Sequence, residues 1–154
     1  MTLFIPMLVY LLLRTSGRVS SLHLPDVTER RWVLAITVVI NILVALRVFQ
    51  DGDFPEVYGF FIGSALGYMS CWALSLLGYK ASLHMLAMSM SLAFFIALSI
   101  SQGNSLLSLV ALFALGTGLV GTSRLLDRAH SPHEIVVGTS IGVLSQLLAI
   151  QVYL

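Results

Sequence analysis

Two short polar runs stand in an otherwise apolar chain: Lys80-Ala81-Ser82-Leu83-His84, and Ser123-Arg124-Leu125-Leu126-Asp127-Arg128-Ala129-His130 followed by Glu134. Each interrupts a long apolar stretch, where an ionisable side chain is costly and by default marks a functional site. Between them they offer cations, hydroxyls, two imidazoles and a carboxylate. That set is what an enzyme handling a phosphoryl group would need.

Spacing distributes these roles. Ser131-Pro132-His133-Glu134 reads as a helix start, with Ser131 as N-cap, Pro132 at the first helical position and Glu134 closing a capping box. The same carboxylate lies one turn from His130. There it can accept the imidazole N–H, fix the tautomer and leave the other ring nitrogen free to attack. His130 just precedes this helix, where orphan N–H groups and the dipole favour a bound anion. Arg124, directly after Ser123, has the bidentate geometry that phosphate takes, whereas Arg128 reads as an interfacial, snorkelling arginine. Lys80 and His84 are four residues apart, so one face of a starting helix would present both to the same point. Ser82 and nearby backbone N–H groups would complete an anion cradle. The single Cys71 sits mid-span and reads as a small packing residue, which excludes a disulfide framework. No His, Asp or Glu cluster has metal-ligand spacing, and neither metal nor other cofactor is expected.

The elements that hold these runs are membrane helices. In 154 residues, 58% are hydrophobic and 10% charged, and the mean hydropathy is +0.96. Such a composition belongs to a single integral-membrane domain. The net charge of +1 points to no nucleic-acid partner. Five apolar stretches, at about Trp32–Phe49, Val57–Tyr79, His84–Ile100, Leu106–Thr122 and Ile135–Leu154, are each long enough to cross a bilayer. A shorter one, Thr2 to Leu13, would cover roughly 18 Å as a helix. It reads as a retained half-span broken near Pro6 or as the end of a span that starts upstream, with no signal-peptide features. The expected fold is therefore an all-α polytopic bundle of about six helices. Gln102-Gly103-Asn104 is read as a hairpin turn. Threading the chain back and forth puts the 14–31 loop, the 80–84 run and the 123–134 run on one face, with every histidine (His23, His84, His130 and His133). The 50–56 turn, with Asp51, Asp53 and Glu56, falls on the other.

Ser123, Arg124, His130 and Glu134 match Ser-Arg-x5-His-x3-Asp, with Glu in place of Asp, and Pro132, Gly138 and Gly142 extend the match. On these residues the chain resembles the type 2 phosphatidic acid phosphatase (PAP2) superfamily, whose soluble relatives include bacterial acid phosphatases and vanadium haloperoxidases. That family's Pro-Ser-Gly-His motif is met in part by Ala81-Ser82-Leu83-His84. Its Lys-x6-Arg-Pro motif is met only by Lys80, as though the loop between the two motifs had collapsed. The resemblance runs from about residue 57 to the C-terminus.

The resemblance implies hydrolysis of a phosphomonoester or pyrophosphate headgroup without metal. His130 would form a phosphohistidine, His84 would protonate the leaving group, and Glu134 would orient His130. Lys80, Ser82, Ser123 and Arg124 would hold the phosphoryl oxygens. The partners implied are membrane lipids and a lipid phosphate substrate whose tail stays in the bilayer, with the oligomeric state left open. One cation of the family pattern is missing, and one of Arg14, Arg18, Arg30 and Arg31 in the 14–31 loop is expected to replace it, with Arg30 and Arg31, just before a long helix, as the favoured pair. Positive-inside counting puts the site in the cytoplasm, whereas the resemblance to bacterial members favours the periplasmic face of an inner membrane. Two other readings compete. One is a non-catalytic protein that binds lipid headgroups or a partner on the same scaffold. The other, a serine hydrolase drawn from Gly138-Thr139-Ser140-Ile141-Gly142, needs a strand-to-helix turn that an apolar helix lacks. The two glycines read better as a helix-packing pair.

Overall fold

The computed structural model describes residues 27–48, 54–103 and 106–153, and every regular element among them is a helix. In chain order these are α1 (Val27–Val48), α2 (Pro55–Leu76), α3 (Leu83–Ser101), α4 (Leu107–Leu126) and α5 (Pro132–Tyr153). Each has 19 to 22 residues, about 30 Å at 1.5 Å per residue, which matches a hydrocarbon core. Helix is the form such runs must take in lipid, because it satisfies every backbone N–H and C=O within the segment. Among the described residues α2, α3, α4 and α5 are long and apolar enough to cross a membrane. The class is thus the all-helical membrane bundle expected, with five helices described; the expected half-span at 2–13 lies outside the described residues.

Two boundaries differ from the sequence reading in ways that matter for the site. Helix α1 begins at Val27 rather than Trp32, so Arg30 and Arg31 belong to its first turns and not to a loop. Hydropathy alone misplaces this start because the first turn is polar; Glu29 there complements the positive end of the helix dipole. Helix α4 runs on to Leu126, which puts Ser123 and Arg124 inside its last turn.

The turns between helices are set by local chemistry. Pro55 opens α2 at its first turn, where its missing N–H costs nothing. At the other end of α2, Gly78 at φ +77° donates to Ser75 O while Tyr79 N donates to Leu74 O at 3.0 Å. This is a Schellman stop. The same motif ends α4, where Arg128 N donates to Leu125 O and Ala129 N to Arg124 O. There the left-handed position is filled by Arg128, at φ +51°, where a Cβ is strained. Arg128→Gly is expected to raise stability by about 0.5–1 kcal/mol, the strain removed less the entropy that glycine adds to the unfolded chain. Unfolding of the purified protein in mixed detergent, followed by circular dichroism, checks this against an Arg128→Val variant that should move the other way.

Helix α5 packs against both α2 and α3, α1 lies along α2, and α4 packs mainly against α3. The approach of α5 to α3 is close enough to require glycine. A Cβ on Gly138 would stand 2.5 Å from Ser82 O, and one on Gly142 2.6 Å from Leu86 O. These are the two glycines of the Gly138–Gly142 stretch, here inside a helix and used for packing. Further along α5, the fully buried Gln146 donates from Nε2 to Phe60 O of α2 at 3.1 Å, a polar tie in an apolar interior. Leu34, Cys71, Ala81, Leu86 and Met90 form the core where α1, α2 and α3 meet, with Tyr68, Trp72, Val137 and Ile141 around it. The outward leucines of α4, Leu112, Leu115, Leu119 and Leu126, are all exposed, as lipid-facing residues are.

Candidate active site

One end of the bundle carries the start of α1, the end of α2, the start of α3, the end of α4 and the start of α5. At the opposite end Gln102 Nε2 reaches Glu56 Oε1 at 3.4 Å, so the helices alternate in direction as threaded. The expected residues gather at the first end.

The start of α5 is a capping box. Glu134 N donates to Ser131 Oγ at 3.4 Å, and Glu134 Oε2 accepts from Ser131 N at 3.2 Å. The same Oε2 lies 2.7 Å from His130 Nδ1. One carboxylate thus caps the helix and orients the imidazole. With Nδ1 engaged, Nε2 is the ring nitrogen left to act; no described residue bonds it. His130 is buried at 8% exposure. Burial pushes its imidazole below the ordinary value near 6.5, helped by the charges of Arg30 and Lys80 and opposed by Glu134. The neutral form of the ring is therefore favoured.

The backbone of Glu134 ties in the 80–84 run, since its carbonyl accepts from Ser82 N at 3.1 Å. The absence of a Cβ on Gly138, one turn on, makes room for that contact. The Ser82 N–H is spent on Glu134, and one expectation changes here. Lys80 and His84 do not share a helix face, because α3 begins only at Leu83 and Ser82 is extended, at φ −77° and ψ 108°. Lys80 instead turns back over the 123–134 run, its Nζ 3.5 Å from Ala129 O, next to His130. His84 is exposed at the lip of α3. Ser82 is fully buried; its Oγ has no hydrogen-bond partner among the described residues and does not cap α3. The first N–H groups of α3 consequently lack a side-chain cap, the arrangement that attracts an anion.

On α4, Arg124 Nη2 donates to Ser123 Oγ at 3.3 Å and pairs with Asp127 Oδ2 at 3.4 Å. Ser123 Oγ donates to the same Asp127 oxygen at 3.3 Å. Arg124 Nε is buried and without a partner among the described residues. The charges of Arg124 and Arg30 both act on His84, which places the three within electrostatic reach. Asp127 is the residue that sequence reasoning passed over. Its spacing of three and four from Arg124 and Ser123 on a helix was the available signal. Arg14 and Arg18 lie outside the described residues, and Arg30 and Arg31 divide. Arg30 Nη1 donates to Ala81 O at 3.3 Å, beside Ser82, while Arg31 Nε donates to Ser75 O at 3.1 Å and closes the end of α2. Among the described residues no three His, Cys, Asp or Glu side chains converge as metal ligands.

Comparison with curated proteins and with solved structures gives no match. The PAP2 superfamily profile matches residues 78–154, half of the 154-residue chain. That stretch begins at the turn before Lys80 and takes in all of α3, α4 and α5, together with the connections that bring His130 and Glu134 to Ser82, so the chain belongs to the PAP2 superfamily.

Proposed function

We propose that this protein is a membrane lipid phosphatase that works through a phosphohistidine. Membership of a superfamily of phosphatase type supports this chemistry. The observation that carries the reading is the 2.7 Å contact of His130 Nδ1 with Glu134, which leaves Nε2 of a neutral ring as the nucleophile.

In the first step the Nε2 lone pair forms a bond to phosphorus as the bond to the leaving oxygen breaks, and His84 gives its proton to that oxygen. In the second, water attacks phosphorus, the P–N bond breaks with its electrons returning to Nε2, and His84 takes the proton of the water. Glu134 stabilises the charge that the His130 ring acquires between the two steps. Lys80, Arg124, Ser123 and the N-terminus of α3 would face the phosphoryl oxygens, where preorganised donors are most effective. Ser82 Oγ, buried directly behind that N-terminus, would join them. The site lies where helices end, at the membrane border, which suits a phosphorylated headgroup whose acyl or prenyl tail remains in the bilayer. We place it on the periplasmic side of a bacterial inner membrane, the Arg-rich face being held for substrate rather than for topology.

Purified protein assayed on a panel of lipid monophosphates and pyrophosphates should release inorganic phosphate from at least one. Vanadate, which adopts the five-coordinate geometry of the reacting phosphorus, should inhibit, and EDTA should not. Sealed spheroplasts should hydrolyse a short-chain substrate supplied outside. Absence of phosphate release across the panel would favour the non-catalytic headgroup-binding reading, and inhibition by EDTA reversed by a divalent metal would assign a different chemistry.

A further inference from the structure

Arg124 is held differently from its cationic neighbours. Lys80 Nζ, Arg30 Nη1 and Arg31 Nε each donate to a carbonyl far away in sequence, on Ala129, Ala81 and Ser75. Arg124 stands at the end of α4, the helix that packs mainly against α3, and it is held by side chains of its own turn. Its Nη2 donates to Ser123 Oγ at 3.3 Å and meets Asp127 Oδ2 at 3.4 Å, while Ser123 Oγ donates to that same carboxylate oxygen at 3.3 Å. The three groups close a ring from the solvent side. The Asp127 side chain is 58% exposed, whereas Arg124 Nε is buried and has no hydrogen-bond partner among the described residues. The charge of Arg124 reaches His84 on α3.

Helix stability gives no reason for a carboxylate at this position. Asp127 is the C-cap of α4, where the negative end of the helix dipole disfavours an anion, and an exposed ion pair adds little stability. It also falls among the five unspecified positions of Ser-Arg-x5-His. What the contact supplies is orientation. An arginine side chain has many rotamers, and at the end of a span it can swing out toward water. Asp127 restricts that freedom, because its own backbone is fixed by the bond from its N–H to Ser123 O at 2.9 Å. We propose that Asp127 is a positioning residue of the phosphoryl site, which holds Arg124 through Nη2 so that the buried Nε–H is aimed at a phosphoryl oxygen, and which does not itself touch the substrate. Orientation fixed before binding is freedom that need not be lost in the transition state. This inference rests on the phosphatase reading.

The test compares full-length wild type with Asp127→Ala, Asp127→Asn, Arg124→Ala and the variant carrying both alanines, all in detergent. It measures kcat and KM on the best lipid phosphate, the vanadate inhibition constant and the melting temperature. Arg124→Ala should lower kcat/KM by about 100-fold, as loss of one transition-state donor does. Asp127→Ala should lower it by about tenfold, chiefly through kcat, and weaken vanadate by a similar factor, because the guanidinium stays within reach but is no longer held in place. Asp127→Asn, whose amide oxygen still accepts from Nη2, should recover part of that loss. With Arg124 already replaced, removing Asp127 should change kcat/KM by no more than about twofold, since the group on which it acts is gone. The melting temperature of Asp127→Ala should equal or exceed that of wild type, an unfavourable charge having left the C-cap. If Asp127→Ala keeps wild-type kcat/KM and vanadate affinity, or costs as much beside Arg124→Ala as it does alone, Asp127 does not act through Arg124 and the proposal is overturned while the phosphatase reading stands. Tighter vanadate binding in Asp127→Ala would overturn it as well, by showing that the carboxylate competes with the anion for Arg124. If wild type itself neither releases phosphate nor binds vanadate, the phosphatase reading fails and takes this inference with it.

Discussion

Replacing His130 by Ala is expected to abolish phosphate release, by at least about 10⁴-fold, because no other side chain in the site can take over the covalent step. The protein should stay folded and membrane-inserted. The substitution removes one hydrogen bond to a charged partner, a cost of about 1–3 kcal/mol, while the capping box between Ser131 and Glu134 remains to hold the start of α5. Phosphate release and detergent-solubilised circular dichroism, measured on the same preparation, separate the two effects. Trapping with radiolabelled substrate under acid-free quench should label wild type and leave His130→Ala unlabelled. Near-normal turnover in that variant would remove the mechanism. The wild-type pH profile carries a linked expectation. Burial and two neighbouring cations hold the His130 imidazole below 6.5, so activity should persist down to that pH and decline only below it, as the ring takes up a proton and loses its lone pair. The folded protein also binds fewer protons than the unfolded chain in that window. Stability should therefore rise with pH between the lowered value and 6.5.

The second large effect is expected from Glu134→Gln. Glutamine keeps the capping box, since either residue serves at that position, so α5 should be undisturbed and the melting temperature little changed. The charge is lost, and with it the preference for the tautomer that frees Nε2, because the amide can donate to Nδ1 as well as accept from it. Turnover should fall by up to about 10⁴-fold, the effect of neutralising an orienting carboxylate elsewhere. Glu134 raises the His130 value through its hydrogen bond and its charge. Its removal should therefore shift the acid limb of the residual activity to lower pH. A purely structural role for Glu134 would lower activity without moving that limb, so the pH profile is the deciding measurement.

What local chemistry determines was legible in the residues. Apolar runs of about twenty residues must be helices in lipid, and all five of the long ones are present as helices with their ends shifted by a few positions. The Ser131–Glu134 capping box and the His130–Glu134 contact follow from spacings of three and four around one helix start, and both are present. Glycines 138 and 142, four apart on one helix face, announced a close packing surface. Arg30, Lys80 and Ser82 were legible as residue types but not as contacts. Arg30 reaches Ala81 across 51 residues and Lys80 reaches Ala129 across 49, and no local periodicity encodes such pairings. They arise because α5 packs against both α2 and α3, which presses the 79–82 connection onto Glu134 and turns Lys80 away from the face of α3. The start of α1 escaped for a related reason. Its first turn is polar, and only its position along the end of α2 shows that Arg30 and Arg31 are helical residues facing different neighbours. Sequence by itself determined the helices, their caps and the His130–Glu134 pair held within a single turn. Tertiary packing decided which cations stand beside that pair, because charge compensation at a buried site is a property of helices brought together and not of any one of them.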